Sequence, residues 1–300
     1  MISRIPPTIA LLAALSASGP ALAAVAPPDT SAQATQYCQS HMRALLAHAP
    51  DTSKTDPRTD YCFGMLSLAR DHDATTAMAH MRTAAEAGYA PAQIFLGLSY
   101  EDGKDVARDG AEALKWFKAA ADQGLAEGEN AYGNALFYGH DGADDPAAAI
   151  PWFQKAADQG DANAQTELAE AHLLGKGVPQ DYPEALRLYR LAAAQNHPYA
   201  VYSLGVMTFN GQGTAADKPA GLALMEKAAT AGITEAQLTV AAILARGKGV
   251  PQDDVTALSW YETAALSSGH RDPAADAIEQ RLTPDQIAQA KTLAQKRAAH

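Results

Sequence analysis

Long apolar runs are scarce in this 300-residue chain. One follows Thr8, shorter than the roughly 18 residues that a helix needs to cross a bilayer. No other stretch approaches that length, so no integral membrane segment is expected once the N-terminus is removed. Clusters of Lys and Arg are missing as well. The chain carries 23 basic against 34 acidic side chains, a net charge of −11. Such a surface repels phosphate backbones and anionic head groups, which excludes nucleic acid as a partner. Catalytic grammar is equally thin. There is no G-x-S-x-G, no P-loop, no H-E-x-x-H and no C-x-x-C, and the nine His residues are scattered. No enzyme activity, metal or cofactor is expected.

Only two cysteines occur, Cys38 and Cys62. What precedes them sets their chemistry. Met1 to Pro7 carries one positive charge, Arg4, and no acid; an apolar stretch follows, and Ala21-Leu22-Ala23 has the small-x-small form of a signal cleavage site. Cleavage after Ala23 fits better than cleavage after Ala26, which would leave Pro27 immediately downstream. An uncleaved anchor is the alternative. Loss of Arg4 takes the mature charge to about −12. An even cysteine count behind a secretory signal favours a Cys38–Cys62 disulfide over two buried thiols. The chain is expected in an oxidising compartment, the bacterial periplasm above all.

What the sequence does contain is a period. Asp109, Asp145, Asp181, Asp217 and Asp253 recur every 36 residues, as do Gly103, Gly139, Gly175, Gly211 and Gly247. Ala-Ala pairs at 84/85, 120/121, 156/157, 192/193, 228/229 and 264/265 keep the same step. A fixed period in this range marks a solenoid, in which one supersecondary unit stacks on copies of itself.

The unit from Ala164 to Pro198 shows the physics. Ala164, Leu168, Ala169, Ala171 and His172 lie at helical spacing, predicting a helix over 164–174 closed by Gly175. Lys176 to Gln180 is a Gly- and Pro-punctuated loop. Asp181 stands where a second helix starts and can accept its free N–H groups, with Glu184 completing a capping-box pattern. That helix runs over 182–194, burying Ala185, Leu188, Tyr189, Ala192 and Ala193. It ends at Asn196, whose equivalents Gly88, Gly124, Gly160 and Gly232 share a tolerance of positive φ.

The pattern A-x-x-x-L-[GA]-x-x-[YLH]-x-x-G-x-G-V-x-x-D-x-x-x-A-x-x-[WL]-[YF]-x-x-A-A-x-x-G resembles the Sel1-like repeat. It is carried by Ala92–Gly124, Ala164–Asn196, Ala200–Gly232 and Ala236–Gly269, with Gly128–Gly160 a fifth copy and Tyr61–Gly88 a degenerate sixth. The resemblance implies an all-α, right-handed α-solenoid of about six helix-turn-helix repeats with capping helices at both ends. The layout is then a signal over 1–23, a linker and capping helix over 24–60, the solenoid over 61–270 and a final helix over 271–300. Asp51–Arg58 is expected as a loop, and Thr283 with Pro284 opens the last helix. Some cysteine-rich relatives of this family are linked to β-lactams; this chain lacks their repeated Cys pairs and any S-x-x-K.

The five acids, Asp109, Asp145, Asp181, Asp217 and Asp253, are read as structural caps. The loop His140-Asp141-Gly142-Ala143-Asp144-Asp145 does not fit a calcium-loop spacing. His172 is read as a packing residue. A second stripe on the first helices comprises Ile94, Leu98 and Glu101, then Asn130, Asn134 and Phe137, then Tyr202, Val206 and Phe209. Its aromatic members, with Tyr138, suit an interface anchored by large side chains; contact with the next repeat is the other explanation. The leading reading is a secreted adaptor that binds an unidentified protein or peptide through a concave surface, with Phe137, Tyr138, Tyr202, Val206 and Phe209 contributing. The alternatives are a cell-wall accessory protein or enzyme acting on peptidoglycan or β-lactams, and a stabilising subunit without a ligand.

Overall fold

The 36-residue period becomes a helix–turn–helix pair, repeated in phase. The computed structural model describes residues 30–47, 56–139 and 144–298, and every regular element among them is a helix. The expected signal over 1–23, most of the acidic 140–145 loop and residues 51–55 lie outside the described residues. The chain divides into two compact units that meet at Asp161 and Ala162, a boundary between repeats.

The first unit contains α1 (Ser31–Ala47), α2 (Pro57–Leu66), a π-helical turn Ser67–Asp71, α3 (Ala74–Glu86), α4 (Ala90–Asp102), α5 (Gly110–Ala121), α6 (Ala126–Tyr138) and α7 (Pro146–Asp158). The second contains α8 (Ala162–Leu174), α9 (Tyr182–Ala194), α10 (Pro198–Asn210), α11 (Lys218–Thr230), α12 (Thr234–Arg246), α13 (Asp254–Ser268), α14 (Ala274–Glu279) and α15 (Pro284–Ala298). First helices begin at 90, 126, 162, 198 and 234, and second helices at 74, 110, 146, 182, 218 and 254. Both series step by 36.

Each second helix starts on an aspartate whose carboxylate accepts first-turn N–H groups, at 3.1 Å from Ala111 and Glu112 for Asp109 and at 3.0 Å from Glu184 for Asp181. Asp145, Asp217 and Asp253 do the same for Ala148, Ala220 and Thr256. Asp73 joins the series, accepting from Thr76 at 3.0 Å. It stands 36 residues before Asp109, so the period already held it.

The reciprocal half of the capping box is not made. The backbone N–H of Asp181 instead donates to the carbonyl of His172 at 2.9 Å, nine residues back, and the Asp109, Asp145, Asp217 and Asp253 amides repeat that bond to Tyr100, Leu136, Thr208 and Leu244. With that donor occupied, Glu184 turns outward to Arg187, at 2.7 Å. The capping aspartate therefore has two jobs: its side chain starts one helix and its amide ties the loop to the preceding one. Asp181→Ala keeps the amide and removes only the cap, so a loss of about 1 kcal/mol in denaturant unfolding is expected. A loss beyond about 3 kcal/mol would mean that the carboxylate holds more than its own helix.

Packing explains the small residues. The first Ala of each pair is at most 2% exposed. On the first helices Gly97, Gly133, Ala169, Gly205 and Ala241 keep the period, twenty residues before Phe117, Phe153, Tyr189, Met225 and Tyr261 on the second helices. A Cβ at Gly133 would lie 2.7 Å from the Phe153 ring, and one at Gly205 would lie 2.8 Å from Met225. Backbone and large side chain approach too closely for any addition.

A polar ladder runs through the same interfaces. Gln123, Gln159 and Gln195 donate to Gln93, Glu129 and Gln165 at 2.7, 2.7 and 3.0 Å. The acceptors are at most 6% exposed. Gln93 in turn donates to the Ala85 carbonyl at 3.0 Å, crossing to the previous repeat. These contacts give the buried side chains of Gln93, Glu129 and Gln165 partners, as burial in apolar surroundings requires. Periodicity in Gln carried this signal, and the sequence reading passed over it.

The ends depart from the period. Without a glycine at position 67 to close it, α2 continues through the π turn and ends at His72, which takes the left-handed conformation at φ 53°. Of the expected loop Asp51–Arg58, the described part is already helical: Asp56 caps α2, accepting from the Arg58 amide at 3.1 Å. Cys38 on α1 and Cys62 on α2 are bonded. At the other end Thr283 and Gln286 do form a reciprocal box, at 2.9 and 3.3 Å. α15 buries Ala290 and Ala294 and lays Arg297 over the Trp260 ring at 3.7 Å. Gln289, Lys291, Gln295 and Lys296 remain exposed on it, as the wet outer face requires, whereas Arg297 is drawn partly inward.

Candidate functional site

Two grooves open beside the first helices, and their walls include residues that also pack on the core, among them the buried Ile94. In the first unit a groove of about 390 Å³ is walled by Met65 of α2, Leu68 and Ala69 of the π turn, and Ile94, Phe95 and Leu98 of α4. Its rim carries His72, Lys104, Asp105 and Glu127. Glu127 accepts the Ser31 amide at 3.0 Å, so the start of α1 is pinned at the edge. The π turn matters here, because an extra residue in a helix re-aims the side chains around it. Ile94 and Leu98 belong to the predicted stripe.

Glu101 lies one turn beyond Leu98. Burial, then the neighbouring Asp102, pushes its carboxyl up to about 7, with Arg108 opposing. The folded state therefore holds this proton more tightly than the unfolded chain, and stability falls as pH rises from about 4.5 toward about 7. Glu101→Gln should gain stability over the natural chain near pH 8 and gain little near pH 4. Urea midpoints at the two pH values check this; equal differences at both would remove the carboxyl as the cause.

The second unit holds a groove of about 510 Å³ between α10, α12 and α14, walled by Phe209, Leu238, Ala242 and Ile243, with Tyr261 in its lining. Phe209 and Val206 are half-buried and pack on the core cluster. Tyr202 is held there by a 3.0 Å hydrogen bond between its hydroxyl and Thr239. Arg246 and Lys248 stand exposed at the rim. Leu238 and Ala242 lie one period beyond Tyr202 and Val206, so extending the stripe by 36 finds them. Lys248 continues the loop lysines Lys104 and Lys176, whereas Arg246 has no cationic equivalent in the other repeats, and only the folded groove brings the two together.

Phe137 corrects the sequence reading. It is 1% exposed and packs edge-on against Phe153 and Tyr138, with centroids 5.6 and 5.1 Å apart. Phe153 has no Cβ opposite it at Gly133, and Phe137 fills the remaining space. It builds the core and presents nothing to a partner. Its neighbour Tyr138 is 48% exposed. The second-stripe residues Asn130 and Asn134 have Oδ1 atoms shielded from solvent and without a hydrogen-bond partner. His172 is half-buried, with its Nδ1 shielded from solvent and without a hydrogen-bond partner, and among the described residues no three His, Cys, Asp or Glu side chains gather as metal ligands. No helix among them is long and apolar enough to cross a membrane.

Helix pairs in strict phase, small residues at the stacking positions and grooves beside the first helices define a helical-repeat protein of the solenoid class. The Sel1 repeat model matches the chain six times, over residues 61–89, 90–125, 126–161, 162–197, 198–233 and 234–268, and the chain belongs to the Sel1 repeat family. A Sel1 repeat protein from Oxalobacter formigenes is similar at 26% identity, over 76% of this chain and 96% of that one, with a TM-score of 0.63. A protective antigen of uropathogenic Escherichia coli strains displaying an SLR fold matches at 22% identity and a TM-score of 0.50, over 90% of this chain and 64% of its own. No curated protein matches. Sel1 repeat proteins generally mediate protein–protein interactions, and the family is typically non-enzymatic scaffolding.

Proposed function

We propose that the protein is an extracytoplasmic adaptor that holds a protein or peptide partner against its first-helix faces. One observation carries the reading: members of the periodic first-helix stripe that remain partly exposed line both grooves. Leu98 lines one, and Phe209 and Leu238 line the other. Pockets of this size with apolar walls and a few polar groups at the rim are suited to side-chain anchors of a partner. The signal-like N-terminus and the Cys38–Cys62 disulfide support a site of action in the periplasm.

A photo-crosslinking amino acid placed at Leu98 or at Leu238 tests this in cells. Placed at Leu191, an exposed position on the second helix α9, it serves as the control face. Bands formed from the groove positions, and not from Leu191, are the expected result. Bands from Leu191 alone would move recognition to the second helices. Fractionation and N-terminal sequencing of the captured protein are expected to give a periplasmic chain that starts at Ala24; a cytoplasmic chain that retains Met1 would remove the compartment.

A further inference from the structure

Cations are the minority charge on this protein, 23 against 34 acids, yet three converge on the second groove. Arg246 and Lys248 are exposed at its rim, and neither forms an ion pair among the described residues. Lys218, at the start of α11, reaches over the Phe209 ring with its ammonium 5.9 Å from the centroid, and it lies against Gly249, next to Lys248. One carboxylate, Asp272, also lines the groove and accepts the Ala274 amide at 2.8 Å at the start of α14, so the cations outnumber the acids there. Several cations elsewhere on the surface pair with acids, as with Arg187 and Glu184 at 2.7 Å, Lys118 and Asp122 at 2.7 Å, and Arg281 and Asp254 at 2.6 Å, while others go to neutral groups, as Arg82 does to the Tyr100 hydroxyl and Lys227 to Asn196. Around Phe209 the three cations form no ion pair among the described residues.

Resting on the adaptor reading, we propose that this groove takes a partner segment in which an apolar side chain stands beside an acidic one. The apolar side chain enters between Phe209, Leu238 and Ile243, and the carboxylate faces Arg246 and Lys248. Charge complementarity is the basis. Unpaired cations at the edge of an apolar pocket gain most from an anion brought close to low-dielectric walls. In a protein of net charge −11, an acidic segment would be repelled by much of the surface and drawn to this cationic edge. The same charge pattern rejects basic segments, since Lys or Arg would face cations at the groove while the bulk of the surface attracts them non-specifically.

The test is selection from a bead-bound random nonapeptide library with amide-linked C-termini, so that only side chains supply charge. The mature protein is expected to enrich peptides with Asp or Glu within two residues of Phe, Leu, Ile or Met. Arg246→Gln/Lys248→Gln should weaken the best such peptide, and Arg246→Glu/Lys248→Glu should weaken it about tenfold or more. Affinity should fall as salt is raised. Both side chains are exposed, and circular dichroism checks that the variants keep their helices. Enriched peptides that are neutral or basic, or acidic peptides indifferent to the double reversal, would overturn the proposal while leaving the adaptor reading intact. Acid dependence seen only in a parallel library with free C-termini would replace the acidic side chain by a terminal carboxylate and overturn the assignment made here. Retention of no peptide by either library would overturn peptide binding itself, and this proposal with it.

Discussion

Replacing Phe137 by Ala is expected to cost about 3–5 kcal/mol of stability, the range for emptying a buried aromatic site. The side chain is 1% exposed and shares edge-to-face contacts with Phe153 and Tyr138. Gly133, the nearest residue across from Phe153, has no side chain with which to collapse into the space. Relaxation is therefore poor, and the upper part of the range applies. Denaturant unfolding reads the loss. Partner binding by the folded fraction should stay unchanged, whereas Phe209→Ala, at a half-buried groove position, should weaken binding at a smaller cost in stability. A Phe137→Ala protein that unfolds like the natural one but no longer binds would return Phe137 to the recognition surface.

Removing the disulfide is the second large effect. Cys38 and Cys62 are 24 positions apart, and opening a loop of that size frees about 3 kcal/mol of chain entropy in the unfolded state. Both sulfurs are buried, so Cys38→Ala/Cys62→Ala is the milder replacement, without a stranded hydroxyl. What remains to hold α1 is modest: Arg58 over the Tyr37 ring at 5.0 Å, Ser31 on Glu127 and the buried Ala34. Hydrogen exchange should then show α1 opening far more often, while α9 to α13 keep their protection. Because Ser31 edges the first groove, ligands of that groove should weaken and those of the second should not. Unchanged exchange in α1 would show that packing alone docks it. Two alkylatable thiols in the natural protein taken from the periplasm would show that the bond does not form there.

The repeat was legible in the sequence because its constraints are local. A helix must start on a cap, end on a residue that accepts positive φ, and offer a small residue where its partner approaches. Asp181, Gly175, Asn196 and the Ala pairs each answer one of these demands within a single unit. Repetition then averaged away the ambiguity that a lone helix signal carries, and helix starts follow the 36-residue step from α3 to α13. Where periodicity failed, at Ser67–His72, the sequence showed only that loop glycines were missing. That the helix would run on as a π turn, and so wall a groove with α4, appeared only in the folded structure.

The candidate site was half legible for the same reason. Spacing placed Ile94, Leu98 and Phe209 on one stripe, but spacing cannot weigh depth: Ile94 is buried, while Leu98 and Phe209 stay half-exposed. Phe137 shares that register and is buried because Gly133 leaves room beside Phe153, a fact about two helices and not one. The Gln ladder joins residues 30 apart in sequence, and the cations near Phe209 come from α11, α12 and the following loop. By itself the sequence determined the unit, its period and its class, since each is set by short-range backbone and packing rules. Tertiary structure alone decided which apolar residues became core, which lined a groove and which charges were left without a partner, because burial and Coulombic pairing are properties of distances between elements.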